Sequence, residues 1–357
     1  MKRTWMAAAT AAAALLCSGC FGAYLEPLPK EAEVHHPRTP DGWDLEMVRY
    51  AARPEAKGRP VLLCHGINAN GRNMDLDARH SIARWFAAHG REAWTVSMRP
   101  SGAYYGKDGG TRPLSKPGFS LDDMMVQDIP TAVDYVRKVT GAPKVDYVGH
   151  SLGGIVGYGY LGRGGQGVGA AVILGSPMRL DLGTPVDLLL PQLAGMLGAG
   201  WTLPMKGVAP LGVPMADLFP ENLQELLLFN PENTTRETMK RLMVEGTEDV
   251  STSQLQQLAL MLKTGELKSL DGTLDYRQAL ATVTTPVLVV AGKRDRLATV
   301  PAVKAGYRAL GGPKEWKIMG VENGARADYG HMDMVIGDRA DTELWPALLD
   351  FFDRHAR

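Results

Sequence analysis

Residues 145–154 read VDYVGHSLGG. Four strand-forming positions lead into a glycine, a histidine and a serine, and two more glycines follow. The run LGGIVGYGYLG, residues 152–162, can start a helix at once. A serine carried on a tight turn from strand to helix projects its hydroxyl above the sheet edge. Flanking glycines are required because such a turn strains the serine and leaves no room for neighbouring side chains. Residues 149–153, GHSLG, fit that G-x-S-x-G pattern, with Gly149 and Gly153 as the flanking glycines and Ser151 as the candidate nucleophile. The helix start beneath Ser151 favours negative charge developing there.

A serine hydroxyl attacks only when a base takes its proton. In this chain order the acid and then a histidine are expected downstream of the serine. Two histidines qualify by position, His331 and His355. His355 lies on a charged helix end near the C-terminus and reads as a surface residue. His331, in ADYGHMDM, lies on a glycine-containing loop between the last strand and the last helix, so it is the expected general base. Asp295 directly follows the apolar run PVLVVAGKRD at the carboxyl edge of the sheet and is the expected acid. Asp181, after the preceding strand, competes with it. Asp328 and Asp333 are too close to His331 in sequence to orient its ring easily, and read as solvated or locally capping. For the oxyanion, the expected donors are the Leu152 N–H, next to the nucleophile, and the Ile67 N–H, after the strand VLLC and the bend His65-Gly66. His65 is expected to hold that loop, and His150 to pack or support it.

The surrounding chain alternates apolar strands with amphipathic helices: RPVLLCHG, HSIARWFAAHG, EAWTVSMRP, LDDMMVQDIPTAVDYVRKVTG, then the elbow, AAVILGSP, TPVLVVAGKRD, EWKIMG and TELWPALLDFFDRHA. That rhythm predicts an α/β fold, a mostly parallel doubly wound sheet with helices on both faces. DGWDLEMVRYAA reads as an edge strand. Core segments are expected over 41–177 and 281–357. Residues 178–280 break the rhythm, with several helical segments, seven methionines and no convincing strand. An insertion of this length after the sixth strand is expected to be a helical cap over the sheet edge.

Residues 1–20, MKRTWMAAATAAAALLCSGC, have a basic start, an alanine- and leucine-rich run and small residues before Cys20. They read as a secretory signal too short to span a bilayer stably. The ending LCSGC resembles a bacterial lipobox, with Cys17 where leucine is usual, and predicts lipidation at Cys20. The proline-rich residues 21–40 then read as a tether. The expected location is across the inner membrane, lipid-anchored in the bacterial cell envelope. With Cys17 removed and Cys20 acylated, Cys64 is left as a buried, inert thiol. No CxxC pair or HExxH occurs, so no metal is expected, and no cofactor is implied. Lys plus Arg and Asp plus Glu are 39 each, so no basic excess points to a nucleic-acid partner.

The stretches TPDGWDLEMVRY, LLCHGINAN, HGREAWTVSMRPSG and DIPTAVDYVRKVTGAPKVDYVGHSLGG, with VLVVAGKRDRLA and YGHMD, resemble the α/β-hydrolases. Within that fold the chain is similar to the acid lipase group, the gastric and lysosomal lipases, over about residues 38–160. The resemblance implies triad roles for Ser151, Asp295 and His331. It departs at Arg99-Pro100, where the family has arginine-glycine, and in the cap. The implied activity is hydrolysis of carboxylic esters through an acyl-enzyme, on a lipid or other small ester. A peptidase, thioesterase or polyester depolymerase would use the same triad. A non-catalytic binding lipoprotein is the reading from another class.

Overall fold

The computed structural model describes residues 22–53, 58–105, 117–180, 195–196, 198, 200–215 and 227–356. The signal, Cys20 and Asp181 lie outside them. Eight strands form the main sheet: β1 Glu33–His35, β2 Glu46–Tyr50, β3 Val61–Cys64, β4 Ala93–Ser97, β5 Val145–His150, β6 Val168–Leu174, β7 Val287–Gly292 and β8 Lys314–Met319. Their spatial order is β1-β2-β4-β3-β5-β6-β7-β8. β2 runs antiparallel to β1 and β4, and the remaining neighbours are parallel. β3, β5, β6 and β7 are buried at every position, as apolar runs covered on both faces must be.

Helices cover both faces. The main ones are α1 Ile82–Ala88, α2 Ile129–Thr140, α3 Leu152–Gly162, α4 Arg236–Glu245, α5 Thr252–Thr264, α6 Val300–Ala309 and α7 Trp345–Arg354. Local chemistry sets their ends. Ser81 accepts the Arg84 N–H to open α1, and Gly141, at φ 71°, closes α2 in the left-handed region that glycine tolerates. α5 opens with a capping box between Ser251 and Gln254 and ends at Gly265, φ 70°.

Three expectations need correction. The DGWDLEMVRYAA strand, β2, is not an edge strand, because β1 pairs outside it. Residues 21–40, read as a tether, are built into the fold over their described part. They supply β1, pack Leu28 and Ala32 on the core, and tie Glu26 to the cap. The insertion also contains strand: Thr202–Leu203 pairs antiparallel with Val250–Ser251. These are short non-local pairings, and two residues per strand leave no alternation to read.

The insertion does leave the sheet after β6 and return at β7. Its anchor to the core is a polar network. Arg72, on the loop after β3, bonds Glu245 of α4 at 2.8 Å through Nε and Asp75 at 3.2 Å. Glu26 reaches the same helix end, its backbone N–H donating to Glu245 Oε1. Elsewhere Arg99 is buried between Asp128, 2.7 Å, and Asp41, 2.6 Å. Arg99 thus fixes the end of β4 by charge.

Candidate active site

β5 delivers Ser151 at φ 53°, ψ −117°, a left-handed conformation rare for a residue with a side chain. The strain is held by close backbone packing. A Cβ on Gly149 would stand 2.7 Å from Gly153, and one on Gly153 would stand 2.4 Å from the Cys64 carbonyl oxygen. The Ser151 N–H donates to the Leu174 carbonyl at 2.8 Å, which locks the turn to β6. α3 begins at Leu152, so the Leu152 N–H belongs to the first helical turn, which has no partner one turn earlier.

Asp295 and His331 are brought together. His331 Nδ1 donates to Asp295 Oδ2 at 2.8 Å, with both residues buried. The carboxylate can only accept, so Nδ1 carries the proton of that bond and Nε2 is the ring nitrogen turned away from Asp295. The other oxygen, Oδ1, accepts the N–H groups of Leu297 at 2.9 Å and Ala298 at 2.7 Å. Those bonds orient the acid. Gly175 lies beneath the pair at φ 54°, and a Cβ there would stand 3.2 Å from Asp295 Oδ2 and 3.4 Å from His331 Nδ1. Sequence reasoning missed this position, although a glycine directly after an apolar strand was a visible signal.

The loop after β3 faces the serine. A Cβ on Gly66 would meet Ser151 Cβ at 3.2 Å, so this glycine allows Ile67 to approach. His65 holds the loop as expected: Nδ1 donates to the Gly66 carbonyl at 2.7 Å and Nε2 accepts the Met98 N–H at 3.0 Å. Burial lowers its pKa to about 4, so the ring stays neutral. His150 also has its pKa pushed well below the ordinary value by burial, then by His331. Its Nε2 donates to the His331 carbonyl at 3.0 Å, and Nδ1 lies 3.4 Å from Asn73 Oδ1, which accepts the Gly66 N–H at 3.3 Å. His150 thus bonds the loop that carries His331 and sits beside Asn73 of the loop after β3. Asn68, at φ 56°, continues that loop, and its carbonyl accepts the Glu248 N–H of the insertion at 3.2 Å.

Asp333 was expected to be solvated or locally capping. It is fully buried. It caps Gly330 N–H at 2.6 Å, but it also accepts Thr234 Oγ1 at 2.6 Å and Asn230 N–H at 3.1 Å. It therefore latches the middle of the insertion to the loop carrying His331. Asp328 is a local cap, accepting the Val321 N–H at 2.9 Å. Cys64 is buried, and burial pushes its thiol up to about 12. Among the described residues, no group of three or more His, Cys, Asp or Glu side chains is placed to hold a metal ion.

Ser151, His331 and Ile67 line one cavity of about 230 Å³. Its remaining wall is largely apolar, with Leu228, Met239, Leu242 and Met243 contributed by the insertion.

Known proteins share this fold. Residues 61–342 match the model of the "Alpha/beta hydrolase family". The chain is 33% identical to Lipase 1 of Drosophila melanogaster over 127 residues, which cover 34% of this chain and 28% of that protein. It is 31% identical to human gastric triacylglycerol lipase over 34% of this chain and 32% of that lipase. The chain thus spans about a third of the length of these relatives. Triacylglycerol lipase 2 of Arabidopsis thaliana aligns more broadly, 24% identical over 91% of this chain and 85% of the plant protein. Among solved structures, monoglyceride lipase from Saccharomyces cerevisiae superposes with a TM-score of 0.62 at 15% identity, covering 93% of this chain and 98% of that one. An esterase from Thermogutta terrifontis gives 0.59 at 12% identity, covering 91% and 100%. The eight-stranded sheet, the strained serine at the end of β5 and the match over residues 61–342 lead to one conclusion: this chain belongs to the alpha/beta hydrolase family.

Proposed function

We propose that the protein is a serine hydrolase that cleaves carboxylic esters through Ser151, His331 and Asp295. The observation that carries this reading is the buried His331–Asp295 hydrogen bond, 2.8 Å, bordering the cavity into which the positive-φ Ser151 opens. His331 Nε2 takes the Ser151 proton as Oγ attacks the ester carbonyl. The N–H groups of Ile67 and Leu152 hold the oxyanion. His331 returns the proton to the leaving alcohol, and water then releases the acid from the acyl-enzyme by the same steps in reverse. Asp295 keeps the imidazole in its working tautomer throughout.

An apolar acyl chain is the substrate part best suited to the cavity. Leu228, Met239, Leu242 and Met243 offer it adaptable apolar surface and no charge. The lipases among the relatives agree with that chemistry. Labelling with a fluorophosphonate tests the reaction. Wild type is expected to label strongly and Ser151→Ala not at all, and a folded wild type that stays unlabelled removes the enzyme reading. A chain-length series of nitrophenyl esters, with triglycerides and phospholipids alongside, then reads the substrate. The anchor is part of the same proposal. Export past the inner membrane and acylation at Cys20 predict a mature envelope protein beginning at Cys20. Mass spectrometry of its N-terminal peptide is expected to show the lipid, and an unmodified Cys20 ends that part of the reading.

A further inference from the structure

A groove of about 900 Å³, separate from the cavity at Ser151, runs along α6 and is lined by Arg179, Arg277 and Arg308, with Thr299, Pro301 and Gln278. None of its lining residues borders the cavity at Ser151. Arg179 follows β6, Arg277 lies in the short helix Tyr276–Ala279, and Arg308 is in the last turn of α6. Three separate elements therefore bring guanidinium groups to one depression.

Five other arginines end on carboxylates: Arg49 on Glu92, Arg72 on Glu245, Arg91 on Asp146, Arg99 on Asp128 and Arg354 on Glu315. Among the described residues, no ion pair or hydrogen-bonded carboxylate is found for Arg179, Arg277 or Arg308. Glu266, which feels the charge of Arg277, is itself paired with Lys268 at 2.8 Å. Arg179 and Arg277 also line an adjoining groove of about 560 Å³ that adds Lys263 and Glu266. Positive charge gathered in a concave surface focuses the field and concentrates anions. Guanidinium groups match phosphate oxygens in a bidentate fashion.

The number of charges selects the ligand further. Three guanidinium groups brought to one groove exceed the charge of roughly −2 on a single phosphate group. We infer that the α6 groove is a binding site for an anion carrying two or more phosphate-type groups, recognised by Arg179, Arg277 and Arg308. The site is independent of the hydrolytic reading, since it shares no residue with the cavity at Ser151.

Titration calorimetry with tripolyphosphate, and flotation with vesicles containing cardiolipin, test it on the full chain and on a double variant, Arg179→Ala with Arg308→Ala. Wild type is expected to bind at least one probe, with affinity falling steeply as salt rises. The double variant is expected to bind at least tenfold more weakly while keeping its fluorophosphonate labelling at Ser151, which reports an intact fold. If Ser151 does not label in either protein, near-UV circular dichroism serves as the fold control. Binding of tripolyphosphate alone identifies a soluble ligand, and binding of vesicles alone identifies a lipid headgroup. Binding of neither probe, or equal binding by the double variant, overturns the assignment.

Discussion

At its amino end β5 buries Asp146, and at its carboxyl end it buries His150 and Ser151. Both ends place polar groups in a dry core, and they handle them in opposite ways. Asp146 is compensated by charge. Arg91 donates to Oδ2 at 3.1 Å, Arg59 forms an ion pair at 2.9 Å, and the Ala170 N–H caps Oδ1 at 3.1 Å. Burial still pushes the carboxyl up to about 6. The other end relies on two neutral rings and one histidine–carboxylate pair. His65 and His150 are uncharged there, satisfied mainly by backbone groups, and His331–Asp295 is the ion-forming pair. A charged clamp tolerates no proton movement without loss of stability. A neutral imidazole next to a single carboxylate can accept a proton and give it back.

That contrast predicts that chemistry and stability separate along one strand. Ser151→Ala is expected to lower ester turnover by about 10⁴-fold or more with unfolding unchanged, measured by steady-state kinetics and denaturant melts. Turnover that survives would move the chemistry away from the elbow. Asp295→Asn is expected to cost about 10⁴-fold by favouring the wrong histidine tautomer, whereas Asp181→Asn leaves turnover intact. The reverse pair of results would transfer the acid role to Asp181. At the other end, Asp146→Ala leaves two guanidinium groups without their buried partner. It is expected to destabilise by about 3–5 kcal/mol in guanidinium melts while turnover per folded molecule stays the same. Lost turnover in the folded fraction would mean that the two ends are coupled.

The smallest effect concerns pH. His65 has a folded-state pKa of about 4 against an ordinary value of 6.5. Between those values the unfolded chain binds the proton and the folded one does not. Stability from this residue is therefore full above pH 6.5 and is lost as pH falls toward 4. The loss is about 3 kcal/mol, from the free energy of each pKa unit. His150 acts in the same direction. His65→Gln is expected to flatten the acid limb of a stability–pH curve, and an unchanged slope would contradict a neutral His65.

Much of the site was legible in the chain because its signals are local. GHSLG marks the candidate nucleophile, and strand ends mark Asp295 and His331 in order. Apolar runs such as VLLC and VLVVAG mark buried parallel strands. Asp333 was misread because its partners Asn230 and Thr234 are about a hundred positions away. β1 was absorbed into a supposed tether because three residues, two of them polar or charged, carry no alternation worth reading. The roles of Gly175 and Asn73 depend on which groups happen to stand 3–4 Å away.

By itself, then, the amino-acid sequence determined the strand–helix rhythm, the elbow and the candidate acid and base. These follow from periodicity, glycine sterics and the chain order of one motif. Only the tertiary structure decided how the insertion grips the loops of Ile67 and His331, that His150 bonds the loop of His331, and that Arg179, Arg277 and Arg308 share a groove. Each of those depends on groups far apart in sequence that meet through packing, and spacing along the chain contains no record of such meetings.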